Sequence, residues 1–151
     1  MPVARVFIDS TTLLYTIDED EPDHGAKAEH WLKQLAVLDA GCVNLQVLNE
    51  VANVVTRKAR FRHRDPFLDV DAFSQYGSSP LSPEASLAAR DLFLRYGYSW
   101  WDCVLLASAL ELGCTHFLSE DMQDGQSISN ARRTLTIVNP FAHSPEHIFS
   151  Q

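Results

Sequence analysis

Cysteine is scarce in this sequence, and long apolar runs are absent. The three cysteines, Cys42, Cys103 and Cys114, form no Cys-x-x-Cys pair and leave one thiol over, which excludes a disulfide framework and a zinc ribbon. We therefore expect a reducing, cytoplasmic environment. The N-terminus has no apolar stretch of signal-peptide length, and no segment approaches the roughly 18 to 20 apolar residues of a membrane helix. The sequence thus predicts a protein without a membrane partner.

Repeats, low-complexity tracts and linkers are also absent, so nothing divides the 151 residues into separate parts. A chain of this length is typical of one domain with a substantial core, and we expect a single domain over residues 1–151. The composition is 46% hydrophobic and 21% charged, which is ordinary for a globular protein and argues against disorder.

Positive charge is limited and unevenly distributed. The net charge of −8 argues, by itself, against a nucleic-acid-binding protein. However, five of the 12 Lys and Arg residues lie within residues 57–64, a stretch that we call the basic lip. Its cations are Arg57, Lys58, Arg60, Arg62 and Arg64. This clustering predicts one basic edge on an otherwise acidic protein.

The apolar pattern changes along the chain between strand-like and helix-like spacing. Short apolar runs predict strands at residues 4–8, 41–44, 115–118 and 134–138. Amphipathic or apolar stretches predict helices at about residues 24–38, 45–58, 66–76, 83–96 and 102–112. Uniformly apolar strands that alternate with helices predict an α/β sandwich around a mainly parallel sheet. In such sheets, ligands bind at the C-terminal ends of the strands.

Acidic residues occupy positions where these elements meet. Asp9 and Asp121 follow predicted strands, so we expect both at one edge of the sheet. Asp102 begins an apolar helix, and Glu50 shares a helical face with apolar residues. Each acid also has a simpler interpretation: a helix cap for Asp9 and Asp102, a surface turn for Asp121, and an ion pair for Glu50. The helix that carries Glu50 offers no cation at a matching position.

Taken together, these acids predict a cation site. Like charges within a few ångströms raise one another's pKa and repel, so a cluster of carboxylates requires a cation. Carboxylates without a thiolate or paired histidines favour Mg²⁺ or Mn²⁺ over zinc, and such an ion can polarise a phosphodiester. Asp124 is a further candidate near Asp121. His143 and His147 have zinc-like spacing, but no second pair of ligands accompanies them.

The sequence resembles the PIN-domain ribonucleases, and in particular the VapC-type toxins of bacterial toxin–antitoxin pairs. Five segments carry the resemblance: FIDSTTLLY from Phe7, NLQVLNEVANVVTRK from Asn44, YGYSWWDCVLLASALELGC from Tyr96, FLSEDMQDGQ from Phe117 and LTIVNPF from Leu135. They occur in the family's order and cover nearly the whole chain, with residues 27–41 and 61–82 the least informative.

The resemblance implies a three-layer α/β/α sandwich with a central, mainly parallel sheet, and an endoribonuclease that depends on Mg²⁺ or Mn²⁺. It also implies a homodimer and a cognate antitoxin whose C-terminal segment blocks the active site. By position, the family's acids correspond to Asp9, Glu50, Asp102 and Asp121, of which the three aspartates would bind metal. Ser119 matches the hydroxyl residue that supports the fourth acid.

One position departs from the family pattern. The family usually has Asn two residues after its first acid, and this chain has Thr11 there. Ser10 and Thr11 can hydrogen-bond the Asp9 carboxylate, but the amide is missing. A PIN fold that binds RNA or a partner without cleaving it therefore stays open as an alternative function.

Two other α/β families with acids at strand ends do not fit. A receiver-like phospho-acceptor domain requires a second acid beside the first, where Ser10 stands, and a lysine after the last strand, where Asn139 and Pro140 stand. A haloacid-dehalogenase-like phosphatase requires Asp-x-Asp after the first strand, and Thr11 occupies the second position.

The sequence also suggests roles for three surfaces. The basic lip continues the helix that carries Glu50, so it could follow an RNA backbone and bind its phosphates. Trp100 and Trp101 are expected to be packing residues, one of them lining the groove beside Asp102. The apolar segment at residues 85–94 is the expected dimer contact.

Overall fold

The computed structural model describes residues 3–61 and 65–149, which form a five-stranded sheet with helices packed against it. The strands are β1 (Val6–Ile8), β2 (Gly41–Cys42), β3 (His116–Leu118), β4 (Ser127–Ser129) and β5 (Thr134–Val138). The helices are α1 (Ser10–Tyr15), α2 (Pro22–Val37), α3 (Leu45–Arg57), α4 (Phe67–Phe73), α5 (Pro83–Tyr96), α6 (Trp100–Glu111) and α7 (Glu146–Phe149). Short 3-10 helices occur at Ala59–Phe61 and Ser74–Tyr76.

The sheet has the strand order β2-β1-β3-β5-β4. Neighbouring strands are parallel except for β4, which runs antiparallel to β5. The register pairs Ile8 with Leu118, and Leu118 with Val138, so the central strands end at the same edge. The predicted three-layer α/β/α sandwich with a mainly parallel sheet is confirmed. Asp9 and Asp121, which follow β1 and β3, therefore lie at this edge of the sheet.

The core is built around the central strands and α6. All residues of β1 are buried, and α6 is buried continuously from Cys103 to Leu110. Phe7 and Phe117 stack across the β1–β3 pair with their ring centroids 5.2 Å apart. Strands of a parallel sheet are covered on both faces, which is why they are uniformly apolar. In residues 3–61 and 65–149, no helix combines the length and apolar character that crossing a membrane requires.

Side-chain caps position the helices that carry the acids. The Asn44 side chain accepts a hydrogen bond from the backbone N–H of Val47 (3.1 Å) and so begins α3. Ser99 does the same for α6, where the N–H of Asp102 donates to its hydroxyl oxygen at 3.2 Å. Such caps satisfy backbone donors that the first helical turn leaves unpaired.

Two helices begin earlier than predicted. Helix α2 begins at Pro22 rather than at residue 24, because proline fits the first turn of a helix, where its missing N–H costs nothing. Helix α6 begins at Trp100 rather than at residue 102, because Ser99 provides the cap. Strand β4 and helix α7, with three and four residues respectively, were not predicted from the sequence.

Candidate active site

Asp9 combines a capping role with a position at the C-terminal end of β1. Its Oδ1 accepts hydrogen bonds from the backbone N–H of Thr12 (3.1 Å) and from the Thr12 hydroxyl (2.5 Å). Burial raises the pKa of Asp9 to about 7, although the bonds from Thr12 oppose the rise. The nearby carboxylates of Asp121 and Glu50 raise this pKa further. A carboxylate is therefore held at a place where its negative charge is costly.

Glu50 lies on α3 and is half-buried. Burial raises the pKa of its carboxyl group, hydrogen bonds from Ser10 and Gln46 lower it, and the charge of Asp102 raises it. The Gln46 amide nitrogen is 3.5 Å from Oε2, which is a weak contact. Among residues 3–61 and 65–149, no cation forms an ion pair with Glu50, so the simpler interpretation of this residue finds no support.

Asp102 and Asp121 complete the group of acids. Because Ser99 caps α6, the half-buried Asp102 carboxylate is not needed as a cap and is left available to the pocket. Asp121 is exposed on the turn after β3. The buried Ser119 hydroxyl accepts hydrogen bonds from the backbone N–H groups of Asp121 (3.2 Å) and Met122 (3.1 Å), which fixes this turn.

The four acids line one cavity with a volume of about 140 Å³. No Lys, Arg or His belongs to the described residues that line it. The acids are close enough to interact electrostatically. The charges of Asp121 and Glu50 raise the pKa of Asp9, and the charge of Asp102 raises the pKa of Glu50. The cavity is therefore an acidic pocket without a counter-ion from the described chain. Its lining consists of Asp9, Ser10, Thr11, Glu50, Trp101, Asp102, Leu105, Phe117, Ser119, Asp121 and Met122.

The acidic pocket matches a hard divalent cation in its donor chemistry. All its ionisable donors are carboxylates, with no thiol or imidazole, which favours Mg²⁺ or Mn²⁺. Besides burial, the charges of Asp121 and Glu50 raise the pKa of Asp9, and a cation in the pocket would offset this repulsion. However, within the described parts of the chain, no three His, Cys, Asp or Glu side chains form a group that could hold a metal ion.

The hydroxyl residues after Asp9 have different contacts from those expected. Thr12, which was not expected to contact Asp9, donates to it, whereas Ser10 lies near Glu50 and lowers the pKa of that carboxyl group. Thr11 lines the acidic pocket. Thr12 occupies the third position of α1, whose N–H a capping side chain normally binds, so the capping rule could have identified it.

Asp124 lies outside the lining of the acidic pocket. Its Oδ1 accepts a hydrogen bond from the backbone N–H of Asn139 (2.8 Å), and its Oδ2 is 2.6 Å from Nε2 of His143. These contacts attach the turn after β3 to the loop after β5. The Asp124 side chain therefore links two loops and does not belong to the group of acids in the pocket.

The expectation that Trp100 and Trp101 are packing residues is wrong. Their side chains are 40% and 55% exposed, respectively. Both lie in the first turn of α6, which projects beyond the buried part of the helix. Trp101 lines the acidic pocket beside Asp102, as expected for one of the two.

The cations of the basic lip have different contacts. Arg60 contacts the buried Asp18 carboxylate at 3.1 Å and Asp20 at 4.0 Å. The exposed Lys58 lines, together with Arg60 and Glu50, a groove with a volume of about 440 Å³. The groove thus connects the acidic pocket to the lip. Arg57 ends α3 and is exposed, and Arg62 and Arg64 lie outside the described residues.

Comparisons with solved structures reveal the same fold in toxin–antitoxin proteins. DNA-bound VapBC from Salmonella typhimurium has a TM-score of 0.65 at 14% identity, covering 91% of this chain and 99% of that chain. A toxin–antitoxin complex from Klebsiella pneumoniae has a TM-score of 0.59 at 15% identity, with coverages of 89% and 97%. VapC20 from Mycobacterium tuberculosis, a Sarcin-Ricin loop cleaving toxin, has a TM-score of 0.55 at 16% identity, with coverages of 74% and 86%.

No curated protein matches the sequence. The model of the PIN domain family matches residues 6–123, a range that contains all four acids of the pocket. The chain therefore belongs to the PIN domain family and shares its fold with VapC toxins.

Proposed function

We propose that this protein is a metal-dependent endoribonuclease and the toxin of a toxin–antitoxin pair. The observation that carries the proposal is the acidic pocket, where four carboxylates meet at the C-terminal edge of the sheet without a cation from the described chain. Membership of the PIN domain family and the fold of VapC toxins support it.

The pocket residues have distinct roles in this proposal. Asp9, Asp102 and Asp121 would hold Mg²⁺ or Mn²⁺, which supplies a Lewis acid for the phosphodiester and lowers the pKa of water. Thr12 orients the Asp9 carboxylate, and Ser119 fixes the turn that carries Asp121. Burial makes the Glu50 carboxylate a stronger base than an exposed glutamate, which suits it to accept a proton.

The proposal extends to partners. The structure from Klebsiella pneumoniae is a toxin–antitoxin complex and that from Salmonella typhimurium is DNA-bound VapBC, which supports a cognate antitoxin as a partner of this chain. A homodimer through α5 is supported by the exposed side chains of Leu87, Phe93 and Leu94. RNA is the proposed substrate, the cytoplasm the proposed location, and residues 1–151 the proposed single domain.

A second function is a PIN fold that binds RNA or a partner without cleaving it. Two observations favour it: the carboxylates form no ready group for a metal within the described chain, and Thr11 replaces the usual Asn. The two functions differ in what purified protein does to RNA when Mg²⁺ or Mn²⁺ is present.

We expect purified protein to cleave RNA when Mg²⁺ or Mn²⁺ is present. Cleavage should stop when a chelator is added and resume when the metal is restored. Asp102→Asn should reduce cleavage by roughly 100-fold or more, because it removes a proposed metal ligand while Ser99 still caps α6. Asp124→Asn is the matched control and should retain activity, because that side chain lies outside the pocket. RNA binding by the wild-type protein with no cleavage in either metal would support the second function instead.

Two neighbouring cations of the basic lip should behave differently. Lys58→Gln should weaken RNA binding and reduce its salt slope by about 1, because an exposed lysine in the groove can bind one phosphate. Arg60→Gln should mainly lower the melting temperature, since it removes the cation that pairs with the buried Asp18 carboxylate. Fluorescence anisotropy at several salt concentrations and thermal unfolding measure the two effects. Equal salt slopes for Lys58→Gln and wild type would show that Lys58 does not contact phosphates.

A further inference from the structure

Trp101 presents an unpaired aromatic surface directly beside the acidic pocket. Its side chain is 55% exposed, although it belongs to the same turn as the half-buried Asp102. Within the described chain, its ring contacts no other aromatic ring, and its indole N–H has no hydrogen-bond partner. Buried Trp31 differs, because its Nε1 donates to the carbonyl oxygens of Pro140 (2.8 Å) and His143 (3.1 Å). The exposure of Trp101 is therefore not explained by packing.

We propose that Trp101 stacks on an unpaired base next to the phosphodiester that is cleaved, and is the residue through which this chain favours single-stranded over duplex RNA. This inference rests on the proposed ribonuclease function. A ring that lines the pocket beside Asp102 is within reach of a nucleotide whose phosphate lies at the acids. Aromatic side chains bind bases by stacking, and every base offers a π-face, so the contact tolerates different sequences.

The chemistry of the pocket favours stacking over reading of base edges. The lining has carboxylates, small hydroxyl groups and apolar side chains, and no Arg, Lys, Asn or Gln among its described residues. Those missing residue types provide most hydrogen bonds to base edges. An unpaired base can leave its neighbours and stack on the indole, whereas a base in a duplex is already stacked and paired. Trp101 should thus discriminate by strandedness.

Kinetics on matched substrates test the proposal. Trp101→Ala should raise KM for a single-stranded RNA by roughly 5- to 100-fold, the range found when an aromatic stacking residue is removed. Trp101→Phe retains a ring and should recover most of this loss. Trp100→Ala is the matched control, because Trp100 is also exposed but does not line the pocket. The same sequence annealed into a duplex should be cut poorly by wild type, and the single-strand preference should decrease in Trp101→Ala.

Fluorescence separates this inference from the proposed function. In an Asp9→Asn background, where cleavage should not occur, a single-stranded RNA should quench the emission of Trp100→Phe protein far more than that of Trp101→Phe protein. Absence of cleavage by wild type would contradict the ribonuclease function, and this quenching would still test the stacking contact. An unchanged KM in Trp101→Ala would refute the inference. A changed dimer or antitoxin affinity with unchanged RNA kinetics would also refute it, because it would assign Trp101 to a protein interface.

Discussion

Asp9→Asn is expected to abolish RNA cleavage and, at the same time, to stabilise the metal-free protein at pH 8. The loss of activity follows from the proposed role of Asp9 as a metal ligand, and we expect a decrease of roughly 1,000-fold or more. The gain in stability follows from the position of the carboxylate. Burial and the neighbouring acids raise the pKa of Asp9 to about 7, so its charged form is disfavoured in the folded state.

The pH dependence of this stabilisation has a defined sign. In the unfolded chain Asp9 ionises near its ordinary pKa of 3.8, and in the folded protein near 7. Between these values the folded state holds more protons, so the Asp9 contribution to stability decreases as pH rises through this window. Asparagine does not titrate. The advantage of Asp9→Asn should therefore be largest at pH 8 and should decrease towards pH 5.

Thermal unfolding in the presence of a chelator measures the effect. A stabilisation of about 1 kcal/mol or more corresponds to roughly 2–4 °C in melting temperature for a chain of this size. Asparagine caps a helix about as well as aspartate, so the cap of α1 should survive. Asp9→Ala is the control, because it removes both the charge and the cap and should gain less. Mg²⁺ should raise the melting temperature of wild type and not of Asp9→Asn. Full activity of Asp9→Asn would contradict the site assignment.

Local patterns in the sequence were sufficient to predict where the acids lie. Asp9 and Asp121 follow apolar runs, and parallel strands end at one edge, so both positions follow from strand prediction alone. Glu50 follows from helical spacing, because it lies three residues after the buried Val47 and four before the half-buried Val54. These predictions depend on residues close in sequence, where periodicity determines the direction of a side chain.

Contacts between distant residues could not be predicted in this way. Arg60 pairs with Asp18, which is 42 residues away, so an arginine assigned to RNA binding contributes to an ion pair. Strand β4 has one buried residue, Ile128, and depends on its pairing with β5. Trp100 and Trp101 were expected to pack, but they lie in the first turn of α6, which extends past the core. In each case tertiary contacts, and not local pattern, decide the outcome.

Gly77→Ala should destabilise the protein strongly and reduce cleavage, although Gly77 does not line the acidic pocket. Gly77 has a φ of 135°, and a Cβ built there would lie 2.5 Å from the carbonyl oxygen of Val43. Its φ of 135° and ψ of 160° belong to a region that is essentially restricted to glycine. We expect a loss of about 2–4 kcal/mol from the strained backbone and the close contact together.

The effect on cleavage follows from the position of this loop. The backbone N–H of Val43 donates to the carbonyl oxygen of Tyr76, and the N–H of Leu45 donates to the carbonyl oxygen of Ser79. The loop around Gly77 therefore holds the segment that begins α3. A shift of this segment would move Asn44, the cap of α3, and with it Glu50. The proposed base would then lie out of position, and cleavage at a temperature where the variant is folded should decrease by roughly 10-fold or more.

Gly97→Ala is the matched control for Gly77→Ala. Gly97 also has a positive φ, 75°, but a Cβ there would meet no atom within 4 Å. It should therefore cost only about 1 kcal/mol, the penalty of a left-handed conformation in a residue with a side chain, and leave cleavage unchanged. Chemical denaturation and RNA cleavage by both variants make the comparison. Equal stability losses would show that the contact with Val43 relaxes at little cost, and full activity of Gly77→Ala would show that α3 keeps its position without the loop.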